Sequence, residues 1–304
     1  MSGVVITGPT GAIGMALIKK CIEQKRDVLA ICHRGSTRIE QIPCNPLITV
    51  IEANLDEYEE LGCELASDKR YDTFIHLAWN GTFGDTRNDM ELQVKNIEYA
   101  LQAVELAKRM GCSTFVGAGS QAEYGRVGEP LSPDTPAFPE NGYGIAKLAA
   151  GNMTRIRCSQ LGIKHIWTRI LSVYGPYDGN YTMVMSTLIK MLRGEETHFT
   201  AGEQIWNYLY SEDAANIILE LAANGENGKT FCLGSEEAIP LKNYIQKMYM
   251  QTGSTARLGL GDIPYADGQV MRLCLQSSPI EGWNFTPFEE GIKETIQWLK
   301  DSVI

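Results

Sequence analysis

Apolar runs of strand length alternate with longer stretches of helical spacing through the first half of the chain. Val4–Thr7, Val28–Cys32, Ile48–Ile51, Thr73–Ala78, Thr114–Ala118 and Ile166–Ile170 read as strands. Helices are expected at Ala12–Gln24, Asp89–Met110 and Gly142–Leu161. These strands are close to continuously apolar, the mark of strands buried on both faces, so the pattern predicts an α/β chain with a parallel sheet covered by helices on either side. Beyond Pro176 the rhythm changes. Helical patterns at Met183–Arg193, Asp213–Ala223, Leu241–Thr252 and Pro287–Asp301 surround one strand-like run, Thr230–Leu233. Phe288, Ile292, Ile296 and Leu299 recur at helical spacing and form a docking face. No repeat or low-complexity linker intervenes, so a sheet domain of residues 1–176, completed by about 207–236, is expected beside a smaller lobe of 177–206 and 237–304.

Length agrees with two cores, because single cores stop growing near 250–300 residues and this chain has 304. A net charge of −10 argues against a nucleic-acid backbone or an anionic membrane as partner. Any anion must be held by local donors. No apolar run approaches the 18–20 or so residues of a membrane helix. The start of the chain enters a strand without a basic leader, and eight scattered cysteines suit a reducing compartment, so a cytoplasmic protein is expected. No two cysteines fall within a CxxC spacing and the four histidines are dispersed, so no metal site is expected.

Candidate chemistry begins at Ile6-Thr7-Gly8-Pro9-Thr10-Gly11-Ala12-Ile13-Gly14, a strand, a glycine turn and a helix start. Glycines permit the tight turn and let backbone approach a pyrophosphate, while the helix N-terminus offers unpaired N–H groups to the anion. In a βαβ context this predicts a dinucleotide held by Gly8, Thr10, Gly11, Ala12, Ile13 and Gly14 on a Rossmann-like, doubly wound sheet. At the end of the second strand stands Ile31-Cys32-His33-Arg34-Gly35-Ser36, with no carboxylate to take a ribose 2′-hydroxyl. Arg34, assisted by His33, suits a 2′-phosphate, which favours NADP(H) over NAD(H).

Tyr143 and Lys147 lie four residues apart and share a helix face, and Ser120 follows the fifth strand at the sheet edge where α/β folds bind ligands. Moving a hydride to or from a carbon bearing oxygen requires a proton on that oxygen. A tyrosine, with an ordinary pKa of about 10, must be pulled down by about two to three units to serve near neutrality. An ammonium about 4 Å away supplies an interaction of that size at an effective dielectric of about 20. Ser120, Tyr143 and Lys147 are therefore the catalytic candidates.

With these residues in place, the chain resembles an extended short-chain dehydrogenase/reductase of the NAD-dependent epimerase/dehydratase family, whose members act mainly on nucleotide sugars. Asn54-Leu55 resembles the adenine-contacting pair after the third strand. His76-Leu77-Ala78-Trp79 resembles the "HLAA" segment that lines the cofactor, and Asn96 the family's helix asparagine. Arg169–Pro176 resembles "RxxNVYGP", with Ser172 for the substrate-facing Asn and Ile170 and Val173 beside the cofactor. Tyr210–Ala214 resembles "YVxDxA", and Trp283–Ile292 the closing "GWxPxxxxxxGL" region. The resemblance implies a homodimer built on the Asp89–Met110 and Gly142–Leu161 helices, and a sugar nucleotide as substrate.

Departures from the family pattern narrow the reaction. Dehydratases of this fold carry an acid one or two positions after the catalytic hydroxyl, where this chain has Gln121 and Ala122. Gly119–Gly125 resembles instead the "GSSEEYG" of reductases of nucleotide-linked 4-keto-6-deoxy sugars, with Gln121 and Glu123 expected toward substrate. The leading expectation is an NADPH-dependent 4-ketoreductase, ahead of an NAD-dependent 4-epimerase and a non-catalytic dinucleotide sensor. The usual phosphate-holding arginine before "YVxD" is missing; Trp206 stands there to stack on a base or fill the core. Arg272, with Arg87, Arg193 and Arg257, remains a candidate for the diphosphate.

Overall fold

The computed structural model describes residues 2–62 and 69–303. In chain order its strands are β1 (Gly3–Thr7), β2 (Val28–Cys32), β3 (Ile48–Glu52), β4 (Tyr71–His76), β5 (Thr114–Ser120), β6 (Lys164–Ile170), β7 (Ser172–Tyr174), β8 (Thr197–Phe199), β9 (Ile205–Tyr210), β10 (Lys229–Leu233), β11 (Ala238–Pro240) and β12 (Leu258–Leu260). Its α-helices are α1 (Ala12–Glu23), α2 (Met90–Arg109), α3 (Gly142–Leu161), α4 (Met183–Leu192), α5 (Ser211–Asn224), α6 (Leu241–Thr252) and α7 (Phe288–Ser302).

The main sheet has seven strands in the order β10-β6-β5-β4-β1-β2-β3. From β3 to β6 every neighbouring pair is parallel. The order reverses on either side of β1, and ligands of such sheets bind outside the carboxyl ends of the strands at that point. β1 and β2 are buried along their whole length, whereas edge strand β3 is partly exposed throughout, with Val50 39% exposed. The caps follow the sequence. Asp89 accepts from Leu92 N to open α2, Asn141 accepts from Gly144 N to open α3, and Gly162 closes α3 in the left-handed region.

The chain condenses into two compact units, one of residues 1–126, 133–170 and 215–231 and one of 127–132, 171–214 and 232–304. The sequence divided it at 176 with a return at 207; the units divide at 170 and return at 215. The reason lies in pairing. β7 joins β9 in parallel, and β9 joins β11 antiparallel, in a separate three-stranded sheet of the second unit. That unit's core gathers Tyr174, Tyr208, Tyr244 and Phe288 with Ile292, Ile296 and Leu299, so the expected apolar face of α7 is buried. Among the described residues no helix is long and apolar enough to cross a membrane, and no three His, Cys, Asp or Glu side chains cluster as metal ligands would.

Candidate active site

In the first unit, the candidate residues before Val173 fall at the carboxyl ends of successive strands or in the loops and helices that follow them. Gly8 follows β1 at φ +66, a conformation that favours glycine. At Gly14 an added Cβ would lie 2.5 Å from the Gly8 carbonyl oxygen, so α1 packs against the turn only because that side chain is missing. Gly11 differs: a Cβ there would meet nothing nearer than 4.0 Å. Gly11 is the N-cap of α1, makes no side-chain cap, and no acid occupies the first turn. The first-turn N–H groups over Ala12, Ile13 and Gly14 thus face a cradle that an anion can fill. These residues fit a dinucleotide's pyrophosphate.

Next to this loop, Thr7 Oγ1 accepts from Ala78 N at 3.2 Å and bonds His76 Nδ1 at 2.9 Å, joining the ends of β1 and β4. Burial lowers the His76 pKa to about 3, with the Lys147 charge adding to it, so the imidazole is neutral. At the ends of β2 and β3, Arg34 N donates to Asn54 Oδ1, and Asn54 N donates to Glu57 Oε2 at 2.6 Å. Leu55 is buried beneath them. The exposed Arg34 guanidinium pairs with Glu57 at 2.7 Å, and Glu52 accepts from Gly35 N at 2.8 Å. The absence of a carboxylate at the end of β2 is therefore answered from β3 and the turn after it. His33 is exposed beside Arg34.

The loop after β4 is pinned from α2. Asn80 N donates to Asn96 Oδ1 at 3.0 Å and Asn96 Nδ2 donates to Asn80 O at 2.9 Å. With both polar ends engaged at 1% exposure, Asn96, which was expected at the cofactor, holds the loop after β4. Gln93 Nε2 donates to Gly81 O and Thr86 O, and Gln93 Oε1 accepts from Trp79 Nε1 at 3.0 Å. The Trp79 ring is thereby set edge-on to Tyr143, centroids 6.2 Å apart.

Ser120 ends β5 and caps the short turn Gln121–Glu123. A Cβ on Gly144 would strike the Ala122 carbonyl oxygen, so this glycine lets α3 close on the turn and bring Tyr143 beside Ser120. The Ser120 and Tyr143 side chains are hydrogen-bonded. Burial pushes the Tyr143 pKa up; the Ser120 hydrogen bond and then the Arg87 charge pull it back, while Glu123 adds to the rise. The Arg87 guanidinium lies over the Tyr143 ring, 4.9 Å from its centroid. Lys147 is 3% exposed, donates to Ala118 O at 2.7 Å and seats its ammonium 3.8 Å from the Trp79 ring centroid. Its distance to the Tyr143 centroid is 5.8 Å. Burial lowers the Lys147 pKa to about 7 against the pull of Glu123. The phenol and serine hydroxyl are placed to pass a proton to one oxygen; the lysine is nearby but directed at Trp79.

Glu123, which was expected toward substrate, is enclosed by protein. It is 0% exposed, accepting from Ser120 N at 2.8 Å, Trp167 Nε1 at 3.0 Å and Arg169 Nε at 2.7 Å. Gly119 leaves the room these groups occupy. A carboxylate so enclosed shapes the end of β5. Gln121 is half-buried beside it, and Ile170 ends β6.

In the second unit, Val173 and Ser172 lie on β7 and Trp206 on β9; Trp206 Nε1 donates to Ser172 Oγ at 3.0 Å. Trp206 is half-buried against that unit's core, and exposed Arg272 bridges backbone to Ile205. Ser172 and Trp206 thus lie on paired strands, and Arg272 is joined to the start of β9 by an isolated bridge. Arg257 pairs with Asp262 at 2.8 Å.

Residues 4–234 match the model of the NAD dependent epimerase/dehydratase family. This chain belongs to that family. A dTDP-4-dehydro-6-deoxyglucose reductase of Escherichia coli is 24% identical to it, with 98% of each chain covered. The UDP-glucose 4-epimerase of Thermotoga maritima, solved with UDP-glucose, has a TM-score of 0.88 at 23% identity, covering 99% of this chain and 100% of its own. The Thermus thermophilus UDP-glucose 4-epimerase, solved with NAD, has a TM-score of 0.85 at 20% identity, with 99% of both chains covered. At such identities the solved structures establish the fold. This member of the epimerase/dehydratase family is an enzyme of the extended short-chain dehydrogenase/reductase type. Sequence reading considered Arg87 only as a phosphate ligand and Trp79 only as cofactor lining. The signals available were a tryptophan where the family pattern has alanine, and an arginine in the loop that follows.

Proposed function

We propose that the protein is an NADPH-dependent reductase of a nucleotide-linked 4-keto-6-deoxyhexose. The observation that carries this reading is the enclosure of Glu123. With Gln121 and Ala122 unable to exchange protons, and the Glu123 carboxylate engaged by Ser120 N, Trp167 and Arg169, the turn after Ser120 holds no acid or base for eliminating water. The phenol of Tyr143 is left to move one proton, which is what carbonyl reduction needs.

When bound, the reduced nicotinamide supplies the hydride for C4 of the sugar. Tyr143 gives its proton to the carbonyl oxygen as that carbon is reduced, and the Ser120 hydroxyl orients the same oxygen. The first-turn N–H groups of α1 hold the pyrophosphate, and Leu77, Ala78 and Asn54-Leu55 border the dinucleotide. Arg34 takes the 2′-phosphate in exchange for Glu57, a surface pair that is readily given up. Ser172, Trp206 and Arg272 of the second unit bind the sugar nucleotide. The seven described cysteines form no disulfide and six are buried, in keeping with a cytoplasmic enzyme. Exposed Met90, Val94, Ile145, Met153 and Ile156 on α2 and α3 support a homodimer through these helices, and Val94→Glu with Ile156→Glu shifts it to monomer in sedimentation.

The test is oxidation of NADPH by the purified protein with 4-keto-6-deoxy sugars linked to dTDP, GDP or CDP. Turnover is expected with at least one. The second reading, an NAD-dependent 4-epimerase, has its own support in Glu52 and Glu57 beside Arg34. It is distinguished by NAD released from the denatured protein, together with 4-epimerisation of an unreduced UDP-sugar and no ketoreduction.

A further inference from the structure

Arg34 is tied to the turn after β3 by both its backbone and its side chain. Its N donates to Asn54 Oδ1 at 3.3 Å, and its guanidinium meets Glu57 Oε1 at 2.7 Å. Glu57 does not depend on the arginine for its place. Its second carboxylate oxygen accepts from Asn54 N at 2.6 Å, closing a capping box over the short turn Leu55–Glu57. Glu52, the last residue of β3, accepts from Gly35 N at 2.8 Å and sets a second carboxylate near the same guanidinium. The cation suited to a 2′-phosphate therefore already has an occupant, and that occupant stays behind when the arginine moves. A phosphate monoester brings about two negative charges at neutral pH. To gain Arg34 it must displace Glu57 and then lie beside it. A ribose 2′-hydroxyl meets no such opposition, since it needs no cation and can donate to a carboxylate.

We propose that Glu57 sets the choice between the two dinucleotides, as an internal competitor for Arg34 that limits the hold on the 2′-phosphate and lets the dinucleotide exchange. This rests on Arg34 being the 2′-phosphate ligand of the proposed reductase. Such an enzyme takes up NADPH and gives up NADP in every cycle, so a clamp that never opened would stop it. A carboxylate fixed within reach of the clamp offers the guanidinium a partner as the phosphate departs. Its effect falls on the dissociation rate, where differences between related complexes mostly lie. The pair is at the surface, so the bias is modest and screened by salt. An enzyme that keeps one dinucleotide bound throughout its reaction has no use for such a competitor.

Titration of NADPH and NADH into the purified protein, followed by nucleotide fluorescence, reads this without any sugar. Glu57→Gln removes the charge but keeps a side-chain oxygen for Asn54 N, as glutamine serves a capping box as well as glutamate does. It is expected to tighten NADPH by about three- to tenfold, since an exposed ion pair is worth up to about fivefold and repulsion of the phosphate disappears with it. NADH should change by less than about twofold, having no phosphate to repel. Most of the gain should appear as slower NADPH release in a stopped-flow chase with excess NADP. Arg34→Gln should weaken NADPH by about tenfold or more and leave NADH nearly unchanged. Adding Glu57→Gln to Arg34→Gln should then gain less than in the parent, because no cation is left to compete for. A dinucleotide preference unmoved by Glu57→Gln, NADH tightened as much as NADPH, or an equal gain with and without Arg34 overturns the proposal. So does parental NADPH affinity in Arg34→Gln. Circular dichroism verifies the fold of each variant. A protein that reduces no keto sugar still gives these affinities, so loss of the reductase reading and loss of the Glu57 assignment are separate results.

Discussion

Two buried cations lie in the same unit, and they are treated differently. Arg169 meets the Glu123 carboxylate at 2.7 Å, with its guanidinium over the Tyr124 ring at 4.5 Å and its partner fully enclosed. Lys147 is as deeply buried but meets only a carbonyl oxygen and an indole face. A carboxylate neutralises the first charge; among the described residues no full opposite charge touches the second. A paired buried charge fixes a shape, whereas an unpaired one is left responsive to pH and to what binds beside it. The knot of Glu123, Trp167 and Arg169 builds the end of β5, and the group of Trp79, Lys147, Tyr143 and Arg87 is the part that the proposed reaction draws on.

The sharpest break between them is Tyr143→Phe. Losing the proton carrier should lower ketoreductase turnover by about 10²–10⁴-fold, with dinucleotide affinity and thermal unfolding close to those of the parent. Steady-state kinetics beside a fluorescence titration with NADPH tests this; a variant with parental turnover removes Tyr143 from the chemistry. Glu123→Gln should do the reverse. It leaves the Arg169 guanidinium buried without its counter-charge, at about 3–5 kcal/mol of stability in urea unfolding. Glu123→Leu with Arg169→Met should recover most of that loss, because paired apolar groups replace a buried ion pair at little net cost. If the double variant is no better than the single, the knot is not an isolated ion pair.

The contrast was legible in the sequence only on one side. Gly8, Gly11 and Gly14, Ser120 and the Tyr143–Lys147 spacing are local patterns, and local patterns are what a sequence displays. The bounds of α3 and α6 were legible for the same reason, set by the Asn141 cap and by the Gly162 and Gly253 ends. Strands β7, β8, β11 and β12 have three residues each, too few for an alternation to appear, and β9 is mixed with Asn207 and Trp206. The inward turn of Glu123 depends on Arg169 and Trp167, 46 and 44 positions away, and the pose of Arg87 on a helix that begins with Gly142. Such pairings are decided by tertiary packing and leave no periodic trace.

Lys147→Met tests the unpaired side through pH. The folded protein holds the lysine proton with a pKa of about 7, against about 10.4 for a free side chain. Below pH 7 both states carry the proton and the full penalty of burying the charge is present; it is relieved as pH rises toward 10. Lys147→Met should therefore be the more stable protein near neutrality, by a few kcal/mol at most, with an advantage that fades toward pH 10. Denaturation curves at several pH values decide it, and parallel curves would mean that the ammonium is already neutralised by a group not seen here.

The smallest expected effect belongs to Trp79, and it separates two explanations of where Lys147 sits. If the indole face attracts the ammonium, removing it costs the charged form about 1–2 kcal/mol, and the Lys147 pKa falls by about one unit. If Trp79 acts only by excluding water, a smaller side chain admits solvent and the pKa rises. Trp79→Leu fills much of the space with apolar surface while deleting the ring, so attraction should win and the midpoint should drop. Trp79→Phe keeps a ring face, though a weaker one, and should drop it less. The 13Cε resonance of Lys147, assigned by its loss in Lys147→Met, gives the sign directly. A rise in Trp79→Leu would show that the tryptophan dries the site and does not hold the cation, and Lys147 would then be set in place by the Ala118 carbonyl alone.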